Sequence, residues 1–196
     1  MTELVLDSLQ RRMRTMHSLY YQAVDSMELE QVNYFEREGV LPIAFSLFHY
    51  TNMQDLTFMV LSGELPIWND DWQERVQVAI NDNGKEKTVQ EMVQQRIGNY
   101  EEFKVYQRTV FDRTEAWLEV LDPARLTEVL VKRPFPPVAA SSYSARVAGP
   151  EGITVLDGIE CWHYQHGLRH MGEIELARGL VGLGLDAPMG RAGMTS

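Results

Sequence analysis

Cross-linking sulfur is almost absent: Cys161 is the one cysteine among 196 residues. No intrachain disulfide can form, and a reducing cytoplasm is the expected compartment. No apolar run reaches the ~20 residues that a membrane-spanning helix needs. The opening segment MTELVLDSLQRRMR has an early acidic residue and no sustained apolar stretch, so it does not read as a secretory signal. Basic runs are missing too. Lys and Arg number 18 against 28 Asp and Glu, a formal net charge of −10. Phosphate backbones and anionic lipid surfaces need clustered cations, so neither nucleic acid nor membrane is an expected partner. The one basic cluster, Arg11, Arg12 and Arg14, lies on an amphipathic pattern and reads as a solvated face. Convincing strand alternation is also lacking, as is an internal repeat.

What is present is helical periodicity in an ordinary globular composition, 44% hydrophobic and 23% charged. The length fits a single domain over residues 1–196 with a proper core. Leu6, Leu9, Met13, Met16, Tyr20, Ala23 and Met27 recur every three or four positions, which makes one stripe along a helix over roughly residues 3–28. A polar connection, ELEQVNYFEREG, follows. Pro42 suits the first turn of a second helix, which ends near Gly63. A third pattern opens at Thr88, with Glu91 placed for a capping box. It continues through Trp117 to about Leu121, with a break near Gly98. Asp122-Pro123 starts a short helix, DPARLTEVLV. Residues 133–153 are rich in Pro, Gly and Ser and read as a long loop. A fourth helix is expected from Val155 to Gly182, with Asp157 and Glu160 near its start and Arg178 near its end, as the helix dipole favours. The tail 183–196 is expected to be loose. Four long helices with one apolar stripe each point to an all-α four-helix bundle.

Histidines interrupt two of those stripes. Along CWHYQHGLRHMGEIELARGL, the positions Ile159, His163, His166, His170, Ala177 and Val181 follow the apolar spacing. His166 and His170 stand one turn apart on one face, the spacing by which a helix chelates a metal. On the second helix, His49 lies in a stripe with Phe45, Asn52 or Met53, Leu56 and Val60. An unpaired buried imidazole costs about 1–3 kcal/mol, and a lone core histidine is more often explained by a hydrogen bond. Three core-facing histidines on two helices are hard to satisfy that way, whereas one divalent ion satisfies all of them. Three protein ligands with a free fourth position is also how catalytic zinc is held. His163 stays open among ligand, supporting group and core residue. Cys161 falls toward the opposite side and reads as a small buried hydrophobe. Gly158, Gly167, Gly172 and Gly179 each cost the last helix about 1 kcal/mol against Ala. Simple tolerance and close helix approach both account for them.

At these residues the chain resembles the DinB-like (damage-inducible) family of metal-binding four-helix bundles, which is unrelated to the DNA polymerase of the same name. GVLPIAFSLFHYTNMQDLTF looks like the family's second-helix segment, in which a histidine is followed six residues later by an aspartate; here these are His49 and Asp55. SGELPIWNDDW looks like the apolar-aromatic segment that follows. HGLRHMGEIELARGLVGLG is similar to the last-helix motif, matched by His166, His170, Gly172, Glu173, Ile174, Arg178 and Gly179. The motifs cover some fifty residues. Tyr50 and Asn52 depart from the commonest family choices, and the segment 133–153 has no counterpart in the resemblance.

The resemblance implies an up-down-down-up bundle with a long crossover before the last helix, often a homodimer. It implies a metal triad of His49, His166 and His170 holding zinc or, as the alternative, nickel. Family relatives use the metal to activate a low-molecular-weight thiol for transfer or isomerisation, and others are hydrolases. The expectation is therefore a metal-dependent transferase acting on a small-molecule substrate, with a hydrolase or a non-catalytic metal-binding bundle as alternatives. Asp55 and Glu173 are candidates for supporting the ligands or acting as general base, with plain structural hydrogen bonding as the competing reading. Tyr50, Asn52, Trp162 and His163 are candidates for lining the pocket.

Overall fold

The computed structural model describes residues 2–35 and 39–183. Its long elements are α1 (Thr2–Asp25), α2 (Ile43–Ser62), α4 (Tyr100–Val120) and α6 (Gln165–Leu180), with a short α3 (Asp70–Val76) and α5 (Tyr143–Val147) between them. The architecture is mostly helical. α1 buries Leu6, Leu9, Met13, Met16, Tyr20 and Ala23, the stripe expected from their spacing. Each of the Leu and Met side chains in that stripe, fully buried, contributes roughly 1.5–3 kcal/mol. α1 packs against α4 and α6, and α2 packs against the same two helices.

α2 starts from Pro42, which is extended, and stops at Gly63 in the left-handed region (φ 83°). Its burial departs from a single stripe. Leu47, Phe48, Tyr50, Thr51, Asp55, Phe58 and Leu61 are all buried, while Val60, expected inside, is exposed. The reason is position: α2 has neighbours on both flanks, so little of its circumference is left for solvent.

The third helical pattern resolves into two elements. Thr88 and Glu91 form the expected capping box, but it closes only the single turn Val89–Met92. α4 begins afresh at Asn99, whose side chain accepts from the Glu102 N–H. The stretch read as a short helix after Asp122 is one 3₁₀ turn (Pro123–Thr127) leading into a strand, β1 (Val129–Lys132). β1 pairs antiparallel with β2 (Gly152–Thr154), Val131 opposite Ile153 and Lys132 opposite Gly152. No strand was expected here. Strands of four and three residues are too short to display alternation. The segment 133–153 is therefore not a plain loop: it holds a turn of helix at Pro137–Ala140, then α5, then β2.

The last helical stretch runs without a break from Val155 to Leu180. Thr154 caps it, with Asp157 completing a capping box. Residues Ile159–Tyr164 are wound as a π-helix, closed by the Gln165 N–H donating to the Glu160 carbonyl. Two of the glycines mark close approach. A Cβ on Gly167 would fall 2.3 Å from Met16 Sδ and 2.6 Å from Tyr50 Oη, and one on Gly158 would fall 2.8 Å from Leu61 Cδ2. Gly172 and Gly179 face open space. The Tyr20 hydroxyl donates to the Gly167 carbonyl at 2.8 Å, which the missing side chain permits. Arg178 is buried and donates to the Ala23 carbonyl (3.1 Å) and the Ser26 hydroxyl (2.6 Å), satisfying acceptors at the C-terminal end of α1. No helix among the described residues is long and apolar enough to cross a membrane. Apart from Leu183, the expected loose tail lies outside the described residues.

Candidate metal centre

His49 of α2 meets His166 and His170 of α6. One ligand atom from each lies within 4.8 Å of the others. His170 is buried, and His49 and His166 are partly so. Two of the rings are anchored on one side. His49 Nδ1 donates to the Asn83 carbonyl, and His170 Nδ1 lies 2.7 Å from Glu173 Oε2. A proton held on one imidazole nitrogen leaves a lone pair on the other. His166 Nε2 and His170 Nε2 face one another at 2.9 Å. Two facing imidazole nitrogens attract only when one carries a proton or a cation lies between them. An ion bonded to both at about 2.0–2.1 Å in tetrahedral geometry sets them about 3.3 Å apart, so these two rings need part by only a few tenths of an ångström to admit one. The donor set therefore fits a divalent ion.

Burial reinforces this. It pushes the His49 pKa down to about 4, although the Asn83 carbonyl pulls upward. His166 is pushed down as well, by burial and then by the charge of His170 and His49. Both rings are thus neutral at physiological pH, the state that binds metal. Glu173 supports His170 from behind and also accepts from Ser46 Oγ at 3.1 Å. Burial works to raise its pKa, but the His170 and Ser46 hydrogen bonds and the charge of Arg169 hold it below the usual carboxylate value. Carboxylate support of this kind fixes the ring of a metal-binding histidine and raises its basicity.

The other candidates are placed differently. Asp55 is fully buried and accepts from the backbone N–H groups of Ile67 (2.9 Å) and Trp68 (2.8 Å), from the Tyr106 hydroxyl (3.1 Å) and from Arg113 (2.5 Å). It fastens the segment after α2 to α4, and none of these partners is a triad histidine. Asn52 also turns toward Tyr106, at 3.4 Å. Tyr50 is buried beneath the cluster, edge-on to His166 with ring centroids 5.7 Å apart, and its hydroxyl donates to the His163 carbonyl. His163 is fully buried, its Nε2 3.0 Å from Thr57 Oγ1. It shares a helix with the triad without joining it, because the π-wound segment breaks the α-helical register that aligned it with His166. Cys161 is buried and its thiol is pushed up to about 11 by burial, so it stays protonated.

A groove of about 740 Å³ opens beside the triad, with His49 and His166 among its lining residues. Trp162 lines it too, half-buried, with Nε1 donating to Ser144 Oγ at 2.9 Å. The far wall comes from β1 and the segment 136–144. Neither this wall nor the parts played by Asn83, Ser46 and Arg169 emerged from sequence reasoning. Asn83 acts through a backbone carbonyl, which carries no residue signature. Ser46 was findable, since it lies three residues before His49.

No family model matches the chain, and no curated protein matches it. Among solved structures, the crystal structure of a conserved protein from Enterococcus faecalis shares the fold, with a TM-score of 0.71 over 90% of this chain and 96% of that one, at 15% sequence identity.

Proposed function

We propose that the protein is a divalent-metal-dependent enzyme of the DinB-like kind, with His49, His166 and His170 as ligands. The observation that carries this reading is the convergence of imidazole nitrogens from His49, His166 and His170, with the far nitrogens of His49 and His170 held by Asn83 and Glu173. The same reading takes the four long helices as an up-down-down-up bundle with the crossover before the last one. Zinc suits three imidazoles best, with nickel as the alternative. Catalysis is favoured over a purely structural ion because His49 and His166 also line an open groove, so a fourth position there is within a substrate's reach.

A divalent ion in such a site lowers the pKa of a thiol or water beside it and so supplies a nucleophile at neutral pH. The chain's own residues orient the ligands, keep them neutral by burial and shape the groove. Thiol-dependent transfer is the preferred reaction, resting on the family resemblance, and hydrolysis is the second. The test is cobalt substitution. Cobalt-loaded protein should show a d–d spectrum that is lost in the His166→Ala, His170→Ala double variant, and a small thiol should add a sulfur-to-cobalt charge-transfer band. Full metal content in the double variant by elemental analysis would sink the ligand assignment. A cobalt spectrum indifferent to every thiol and to inhibitor anions would favour a structural ion.

A further inference from the structure

The groove beside the triad has a charge pattern unlike the rest of the molecule. The chain carries ten more acidic than basic side chains. Yet no Asp or Glu lines the groove, while two cations do, Lys85 and Arg169. Most arginines of the protein are committed to carboxylates, among them Arg12 with Glu160, Arg75 with Glu102 and Arg113 with Asp55. Among the described residues, neither the Lys85 ammonium nor the Arg169 guanidinium makes a hydrogen bond or ion pair. Glu173 sits one turn beyond Arg169 but gives its oxygen to His170 and Ser46 instead. Both cations are exposed on the side where His49 and His166 open.

The remaining surface of the groove is largely apolar. Met53 and Val60 of α2 form one side, Trp162 a second, and Val131, Val138 and Tyr143 the far wall. Val60, Val138 and Tyr143 are among the more exposed large apolar side chains of the protein. A largely apolar trough that also presents two cations, beside the histidine triad, selects by both shape and sign.

We propose that the substrate groove takes a small amphiphilic carboxylate, its apolar body along Val60, Trp162, Val138 and Tyr143 and its anionic head between Arg169 and Lys85. The inference rests on the reading of the triad as a metal site whose substrate enters by this groove. Carboxylate is the head group favoured because the planar guanidinium fork of Arg169 matches its two oxygens. The apolar body accounts for the Trp162 face and the far wall, which a small hydrophilic anion would leave unused.

The test compares 4-phenylbutyrate, its neutral amide 4-phenylbutyramide and the cation 4-phenylbutylamine, using calorimetry and the fluorescence of the tryptophans. Each is measured on metal-free and zinc-loaded protein, with zinc content determined on the same samples. The carboxylate should bind at least about tenfold more tightly than the amide in both forms, and the amine should not bind. Arg169→Met and Lys85→Met should each weaken the carboxylate about tenfold and leave the amide unchanged, while Val138→Asp should weaken both. Equal binding of carboxylate and amide, or no binding of either to folded protein, overturns the proposal. Carboxylate selectivity in the metal-free form that vanishes on zinc loading also overturns it. A protein that selects the carboxylate through Arg169 and Lys85 yet takes up neither zinc nor nickel keeps the anion site and sinks the metal reading alone.

Discussion

His170 and Glu173 form a charge-assisted pair along one helix, Nδ1 to Oε2 at 2.7 Å, and the same carboxylate oxygen is held by Ser46 of α2. The pair ties the ligand on one helix to the helix that carries His49. Replacing Glu173 by Gln should lower metal affinity by about 10–100-fold. Ser46→Ala should act in the same direction by less. Competition with a chromophoric chelator reads both, and affinities unchanged in both variants would remove Glu173 from the site.

Asp55 should behave in the opposite way. It accepts from Arg113, Tyr106 and two backbone N–H groups while fully buried. Asp55→Ala strands Arg113 and those donors, so it should cost about 3–5 kcal/mol of stability. Urea unfolding measures this. Metal affinity of the folded fraction should stay at the wild-type value, and a large loss there would restore Asp55 to the metal site.

Two glycines of one helix should respond with opposite signs. Gly167→Ala drives a methyl to 2.3 Å from Met16 Sδ and should destabilise by about 1–3 kcal/mol. Gly172→Ala meets nothing within 4 Å and should stabilise by up to about 1 kcal/mol. Thermal melts of the pair decide the matter; equal shifts would mean that the close approach of α6 to Tyr50 is misplaced.

Acid should act through His163. Burial, then the charges of His17 and Arg113, push its pKa from 6.5 down to about 3. Between those values the unfolded chain binds a proton that the folded protein refuses. Stability therefore falls as pH drops from 6.5 toward 3, by up to about 1.4 kcal/mol per pH unit from this group, and the contribution is fully present above 6.5. Denaturant titrations of metal-free protein should show a shallower pH dependence in His163→Gln than in wild type across that window. Parallel curves would contradict a buried neutral ring.

The regular parts of the molecule were legible in its sequence because they obey local rules. The α1 stripe, the stop at Gly63 and the capping box at Thr88 follow from spacing and backbone chemistry alone. The gathering of His49 with His166 and His170 was legible too, since i, i+4 spacing fixes two of them and an imidazole in an apolar helix betrays the third. Misreadings came where tertiary context overrides periodicity. His163 fits an α-helical stripe with His166 and His170, but it lies within a π-wound segment that shifts it out of that register. Val60 fits the inward pattern of α2, yet it is exposed at the groove. The strands at 129–132 and 152–154 each make sense only with the other present. Arg178 looked like a dipole-favoured terminal residue, whereas it reaches across to α1.

The short ladder between β1 and β2 has a consequence for how the protein can vary. It closes residues 133–151 at their base, Lys132 opposite Gly152, so most of the far wall rides on one closed segment that docks on Trp162 through Ser144 beside the triad. Lengthening such a closed segment costs little, about 0.6 kcal/mol for each doubling. Residues within it can be exchanged without touching His49, His166, His170 or the carboxylate behind them. On the proposed reading, what the groove accepts and what the triad holds are separately adjustable: grafting a different 133–151 segment onto the same scaffold should retune the first while leaving metal affinity unchanged.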